Sequence, residues 1–101
     1  MAGEIRFEWD QKKSDANLRK HGLRFPTAAQ VFFDLLVEKK VQGNEHGEIR
    51  WTAIGQVGSN ILHVTYTTRE EGEAEIFRII SARRAAPREI RAYQGHPEDD
   101  R

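Results

Sequence analysis

Arginine dominates the residues of this chain that could do chemistry. Between Arg78 and Arg91 stand five arginines (Arg78, Arg83, Arg84, Arg88 and Arg91) against one acid, Glu89. Arg50 and Arg69 lie earlier. A guanidinium is planar and permanently charged, and its fork of donors matches the oxygens of a phosphate. Such a run reads either as a solvated surface or as a cationic patch that meets phosphate. His63 sits in a strand-like stretch and can carry a proton near neutral pH, unless its ring only fills a structural niche. With no cysteine in the chain, disulfides, thiolate metal sites and a cysteine nucleophile are excluded. The four histidines (His21, His46, His63 and His96) show no His-x3-His spacing and no accompanying carboxylate pair, so no metal site is expected. No glycine-rich phosphate loop is present, and no cofactor is expected.

These groups need elements to hold them. Ile5 to Trp9 alternates apolar and charged residues, which predicts a half-buried strand. Asp10 suits a helix N-cap, and Gln11 to Lys20 reads as a helix closed by His21-Gly22. That helix is polar, with Ala16 and Leu18 its only apolar residues. His21 at its end reads as structural, interacting with the helix dipole. Pro26 opens a second helix, whose stripe Ala28, Val31, Phe32, Leu35 and Leu36 predicts a core face. Four strands follow at about Leu36–Val41, Ile49–Val57, Asn60–Arg69 and Ala74–Arg83. Turn residues separate them at Gly43-Asn44, Gly58-Ser59-Asn60 and Glu71-Gly72. Pro87 starts a short closing helix that runs to about Tyr93. Trp9 and Trp51 read as packing residues rather than base-stacking platforms.

The order β-α-α-β-β-β-β-α predicts an α+β fold: a small antiparallel sheet with the N-terminal helices packed on one face and a short C-terminal helix. The other face can stay wet and hold a ligand. On the penultimate strand His63, Thr65, Thr67 and Arg69 share one face, while on the last strand the Ile79-Ile80 pair blurs which side is in. Antiparallel pairing can bring Arg50, Arg69 and Arg83 together, but the register is open. The 101 residues predict a single domain, with a core of about 5–94 and a polar, mobile tail over 95–101. Charged residues make up 32% of the chain, against about 25% for an average globular protein. They balance at 16 basic and 16 acidic, which argues against coating nucleic acid with the whole surface. No membrane span or signal peptide is recognisable, so a cytoplasmic protein without membrane contact is expected.

Several pieces in order resemble one known family. Phe7-Glu8-Trp9-Asp10, Asn17, Lys20-His21-Gly22 and Phe25 look like the start of BrnT-type toxins. Arg50 four residues before Ile54-Gly55, then Arg78-Ile79-Ile80-Ser81-Ala82-Arg83-Arg84, Arg88-Glu89 and Tyr93, continue the likeness to the end of the last helix. The segment Glu70 to Glu75, with four glutamates and no base, is longer and more acidic than the family's turn. Ala86-Pro87 stands where a Ser or Thr cap is common. The resemblance implies a RelE-like fold and an RNA-cleaving toxin that halts translation. It also implies neutralisation by a BrnA-type antitoxin with a ribbon-helix-helix part, so that DNA is met only through the antitoxin.

Metal-free RNA cleavage uses the 2′-hydroxyl as internal nucleophile. It needs a base, an acid and cations for the charge that develops on phosphorus. Read in that light, Arg83, Arg50, Arg69 and His63 are the candidate catalytic residues. Lys20, Arg78 and Arg84 are candidates for RNA binding. Arg84, Arg88 and Arg91 are candidates for partner binding. A non-catalytic antitoxin-binding module acting in operon autoregulation, or a housekeeping RNA-binding domain, remain alternatives.

Overall fold

The first helix owes its place to two buried polar side chains. In the computed structural model, which describes residues 3–95, β1 (Glu4–Glu8) leads directly into α1 (Gln11–His21). The Asp10 carboxylate accepts from the Lys12 and Lys13 amides, and Gly22 ends the helix in the left-handed conformation. Only Ser14 and Asn17 of α1 are buried. Ser14 Oγ accepts the Phe25 N–H at 3.0 Å. Asn17 Nδ2 donates to the Leu23 and Ala82 carbonyls at 2.9 Å each, and its Oδ1 accepts the Ala82 N–H at 3.1 Å. A polar helix is thereby anchored without an apolar stripe: Asn17 pairs with the backbone edge of the last strand as a neighbouring strand would.

The second helix is shorter than its apolar stripe implies. α2 (Phe25–Ala28) passes into a 3-10 segment, Ala29–Phe33. Phe25, Ala28 and Val31 are fully buried, and Phe32 packs partly against the core. Leu35 and Leu36, expected in the core, are 98% and 69% exposed. The cause is Asp34, which leaves the helix in an extended conformation. Its carboxylate accepts the Leu36 N–H at 2.9 Å and the Gln56 N–H at 2.7 Å, and the Tyr93 hydroxyl donates to the same group. A side chain that satisfies local backbone donors competes with helix continuation.

Four long strands follow: β2 (Glu38–Glu45), β3 (Glu48–Val57), β4 (Asn60–Glu71) and β5 (Ala74–Arg84). With β1 they make one sheet in the order β1-β5-β4-β3-β2. The meander β2 to β5 is antiparallel as expected, whereas β1 joins β5 in parallel, so the sheet is mixed. The first hairpin turns at His46-Gly47, both at positive φ, as a two-residue type I′ turn requires. Gly43-Asn44, expected to turn, instead continues β2 past an irregularity between Val41 and Gly43. The 3-10 segment presses on β3, where a Cβ at Gly55 would sit 3.0 Å from both Cβ and the carbonyl oxygen of Val31. α3 (Pro87–Tyr93) closes the described chain. Beyond Gly95, the expected mobile tail lies outside the described residues.

A bulge decides the faces of the sheet. Thr65 pairs with Ser81 but Tyr66 pairs with Ile79, which leaves Ile80 as the extra residue on β5. Phe77, Ile79 and Ala82 therefore share the core face with Leu62, Val64 and Tyr66. On that face the rings of Phe7, Phe32, Tyr66 and Phe77 interlock, with Phe32 edge-on to Tyr66 and Phe77 at 4.9 and 4.8 Å. Simple alternation would group Ser81 with Phe77 and Ile79, and Ala82 with Arg78; the bulge exchanges them. Arg78, Ser81 and Arg83 come to lie on the far face, opposite Thr67, Thr65 and His63.

Asn17→Ala removes three buried hydrogen bonds and strands three backbone groups. Each stranded group costs about 1–3 kcal/mol, so denaturant titration should find the variant destabilised by at least about 3 kcal/mol. A loss under about 1 kcal/mol would mean that α1 is held by something else.

Candidate functional site

At one end of the far face, His63 and Arg83 are direct cross-strand partners. Glu89 of α3 reaches over both. Its carboxylate takes a bidentate pair from Arg83, with Nη1 and Nη2 each at 3.0 Å, and it also accepts the Ala86 N–H at 2.8 Å. The hydrogen bond from Arg83, against the opposing effect of burial, holds the Glu89 carboxyl at about 2. The same contact raises the Arg83 pKa above its ordinary value. Arg83 Nη1 also donates to the Arg84 carbonyl. Of five guanidinium N–H donors, three are thereby engaged, and Nε and one Nη2 hydrogen have no partner among the described residues. The His63 side chain is only 15% exposed. Burial first, and the Arg83 charge second, lower its pKa, against a smaller raising effect from Glu89. Its Nε2 lies 3.8 Å from Glu89, which makes an ion pair only when the ring is protonated. Those effects together favour the uncharged ring.

The middle of the face is lined by hydroxyls. Thr52, Thr65 and Thr67 are buried, and Thr52 pairs with Thr65 across β3 and β4. Beside them a cleft of about 390 Å³ opens between the β2–β3 hairpin and the sheet, lined by Gly43, Glu45, Arg50, Thr65 and Ser81 among others. Arg50 Nε is buried and without a hydrogen-bond partner. Glu45 Oε1 lies 3.3 Å from it, near enough for charge attraction but not aligned as a hydrogen bond.

At the other end, Glu8 of β1 gathers two arginines. Arg69 Nη1 and Nη2 donate to it at 2.7 and 2.9 Å, and Arg78 Nη1 donates at 2.9 Å. These bonds, led by that from Arg69, hold the Glu8 carboxyl at about 2. Arg69 Nε also meets Glu71 at 2.9 Å, so part of the acidic Glu70–Glu75 segment folds back on the arginine beside it.

The candidate catalytic residues Arg83, His63, Arg50 and Arg69 all lie on one sheet face, but they do not form one cluster. Arg69 stands six residues along β4 from His63, about 20 Å at strand rise, so the register left open in the sequence does not bring Arg50, Arg69 and Arg83 together. Arg78 is grouped with Arg69. Arg84 pairs with Leu62 on the opposite face, where it lies near Gly22 at the end of α1. Lys20, in the last turn of α1, is exposed. Arg88 and Arg91 are exposed, one turn apart on α3. Two residues that shape the site, Glu89 and Glu8, had no role in the sequence reading. Glu89 stands among arginines in the sequence and Glu8 between Arg6 and Asp10, but the partners of each are fixed only by folding. Trp9 and Trp51 pack against the core as expected. Among the described residues no cluster of three His, Asp or Glu side chains could hold a metal, and no helix is long and apolar enough to cross a membrane.

Residues 9–89 match the family model described as "Ribonuclease toxin, BrnT, of type II toxin-antitoxin system". No curated protein matches the chain.

The packing of His63 between opposite charges makes a sign-specific prediction. Both Glu89 and His63 have folded pKa values below their ordinary ones, so the stability they contribute is present above 4.5 and 6.5 respectively and is lost as pH falls below those values. In an NMR titration the His63 ring should titrate below 6.5. Arg83→Ala should raise that midpoint, and Glu89→Gln should lower it further. A midpoint indifferent to both changes would place the ring outside the influence of the pair.

Proposed function

The chain belongs to the BrnT family, the ribonuclease toxins of type II toxin–antitoxin systems, and from that premise we propose that it cleaves RNA without a metal at the His63–Arg83–Glu89 end of the wet face. The observation that carries this reading is a largely enclosed imidazole directly opposite a guanidinium that is held end-on by a carboxylate. Glu89 fixes the orientation of Arg83 and leaves its Nε and Nη2 edge for a phosphate. Uncharged His63 takes the proton of the 2′-hydroxyl as its oxygen bonds to phosphorus, and Arg83 meets the charge that grows on the phosphorane oxygens; the P–O5′ bond then breaks, leaving a 2′,3′-cyclic phosphate and a 5′-oxygen that takes a proton from solvent. Arg50 and Arg69 hold the RNA further along the same face. Lys20 and Arg84 lie off that face, so as RNA contacts they serve only a strand that wraps the edge of the sheet. The reaction takes place in the cytoplasm, where RNA is translated.

A type II toxin has a protein antitoxin as partner; we take it to be of the BrnA type, with DNA reached only through it. Arg88 and Arg91 make no ion pair among the described residues. Tyr93 of the same helix bonds to Asp34, and the chain around Asp34 exposes Phe33, Leu35 and Leu36. Apolar anchors rimmed by unpaired cations suit an amphipathic acidic segment. Arg84, near Gly22 on the opposite face, would extend that surface.

Arg83→Ala should lower RNA cleavage by a factor of about 10²–10³ and relieve growth arrest on induction, all with EDTA present in the cleavage assay. Arg83→Lys should recover little, since lysine lacks the fork. His63→Ala should remove the rising limb of the pH–rate profile, while Arg50→Ala and Arg69→Ala lose less. Parental cleavage by an Arg83→Ala protein with a parental melt would refute the assignment, and dependence on an added divalent ion would refute the metal-free route. Replacing Arg84, Arg88 and Arg91 together by Glu should weaken antitoxin binding by about a hundredfold or more. Unchanged affinity in a titration would move the interface elsewhere.

A further inference from the structure

The cleft beside Arg50 has a donor and acceptor pattern that the cleavage chemistry does not use. Arg50 makes no side-chain hydrogen bond among the described residues, and its Nε is buried without a partner. The Glu45 carboxylate stands 3.3 Å away, attracted but not aligned. The cleft thus offers the two terminal amino groups of Arg50, which make no hydrogen bond among the described residues, next to a Glu45 carboxylate engaged only by charge attraction to Arg50. Gly43 faces Arg50 in the β2–β3 register, and a Cβ added there would meet nothing within 4 Å. That missing side chain helps leave a space of about 390 Å³, ample for one nucleobase. Thr65 and Ser81 close the floor. They lie two residues along from His63 and Arg83 on the same strands, about 7 Å away at strand rise.

We propose that the cleft between the β2–β3 hairpin and the central sheet reads a guanine base of single-stranded RNA next to the cleaved phosphate. The ligand class rests on the ribonuclease reading; the choice of base rests on the cleft. Guanine presents two acceptors, O6 and N7, on one edge, and a guanidinium fork meets both. Its neighbouring Watson–Crick edge presents two donors, N1–H and the 2-amino group, which one carboxylate accepts together. Adenine turns a 6-amino donor towards the arginine and offers no donor at N1, so it fails on both sides. Single-stranded RNA can splay a base out to be read on these edges.

The test uses the full chain and 2′-fluoro oligouridine hexamers, which lack the nucleophilic hydroxyl. One central base is varied, and affinity is read by fluorescence anisotropy at fixed salt. Guanine should bind about tenfold or more tighter than adenine, with 7-deazaguanine and inosine between them. Arg50→Ala should abolish the penalty for losing N7 but keep that for losing the 2-amino group; Glu45→Gln should do the reverse. Gly43→Ile fills the cleft from a position with room for a side chain. It should erase the guanine preference while the thermal melt and the His63 titration stay parental. Equal affinity for guanine and adenine, including no binding of either, overturns the proposal. So does a guanine preference that survives both Arg50→Ala and Gly43→Ile. Cleavage of ordinary RNA, measured in parallel, judges the ribonuclease reading separately: guanine preference without cleavage keeps the cleft and refutes the enzyme, and cleavage without preference does the opposite.

Discussion

The pairing of β4 with β5, with one extra residue at Ile80, puts Arg78 and Arg83 on one face of the sheet together with His63. A strand alternates its side chains with a period of two, so a single inserted residue exchanges the faces of everything beyond it. Counting from Arg78 without the bulge, Arg83 falls on the opposite side of the sheet. With it, Arg78, Ser81 and Arg83 stand in line opposite Thr67, Thr65 and His63. The same insertion lets Ile79 and Ala82 both reach the core. Packing and site therefore share one cause: the apolar residues choose the bulge by burying themselves, and the polar face follows.

Carboxylates then divide the arginines into separate stations. Glu89 holds Arg83, Glu8 holds Arg69 and Arg78, and Glu45 lies loosely against Arg50. The bidentate pairs at Arg83 and Arg69 keep a long, flexible side chain in one orientation, which a transition-state contact needs in advance. The pairs also temper the positive field of the face, in keeping with a chain of zero formal charge. The positive field of this molecule is local rather than spread over the surface, and it depends on which guanidinium edges remain open.

Asp34 plays a comparable part on the other side. Burial opposes its charge, but hydrogen bonds from Tyr93, Gln56 and Leu36 outweigh that and hold its pKa below the ordinary value. The bond to Asp34 in turn pushes Tyr93 up to about 12. One carboxylate so ends the second helix, ties α3 to the sheet and leaves Phe33, Leu35 and Leu36 in water. A contiguous patch of exposed large apolar side chains can mark an interaction surface.

Local chemistry was legible in the chain itself. Asp10 and Gly22 bound α1, Gly58-Ser59 turns β3 into β4, Pro87 opens α3, and alternation put His63, Thr65, Thr67 and Arg69 on one face. The family likeness spanned the same stretch that the family model matches. These signals survive because caps, turns and period-two patterns act between residues a few positions apart. Folding alone decided the rest. Asn17 anchors to Ala82 across 65 positions, β1 adds itself in parallel to β5, Leu35 and Leu36 leave the core because Asp34 finds Gln56, and Glu89 and Glu8 find their arginines. Periodicity carries no record of which distant backbone donor a side chain will meet or where a ladder slips by one residue. Those choices follow from how the whole sheet buries its apolar face at once.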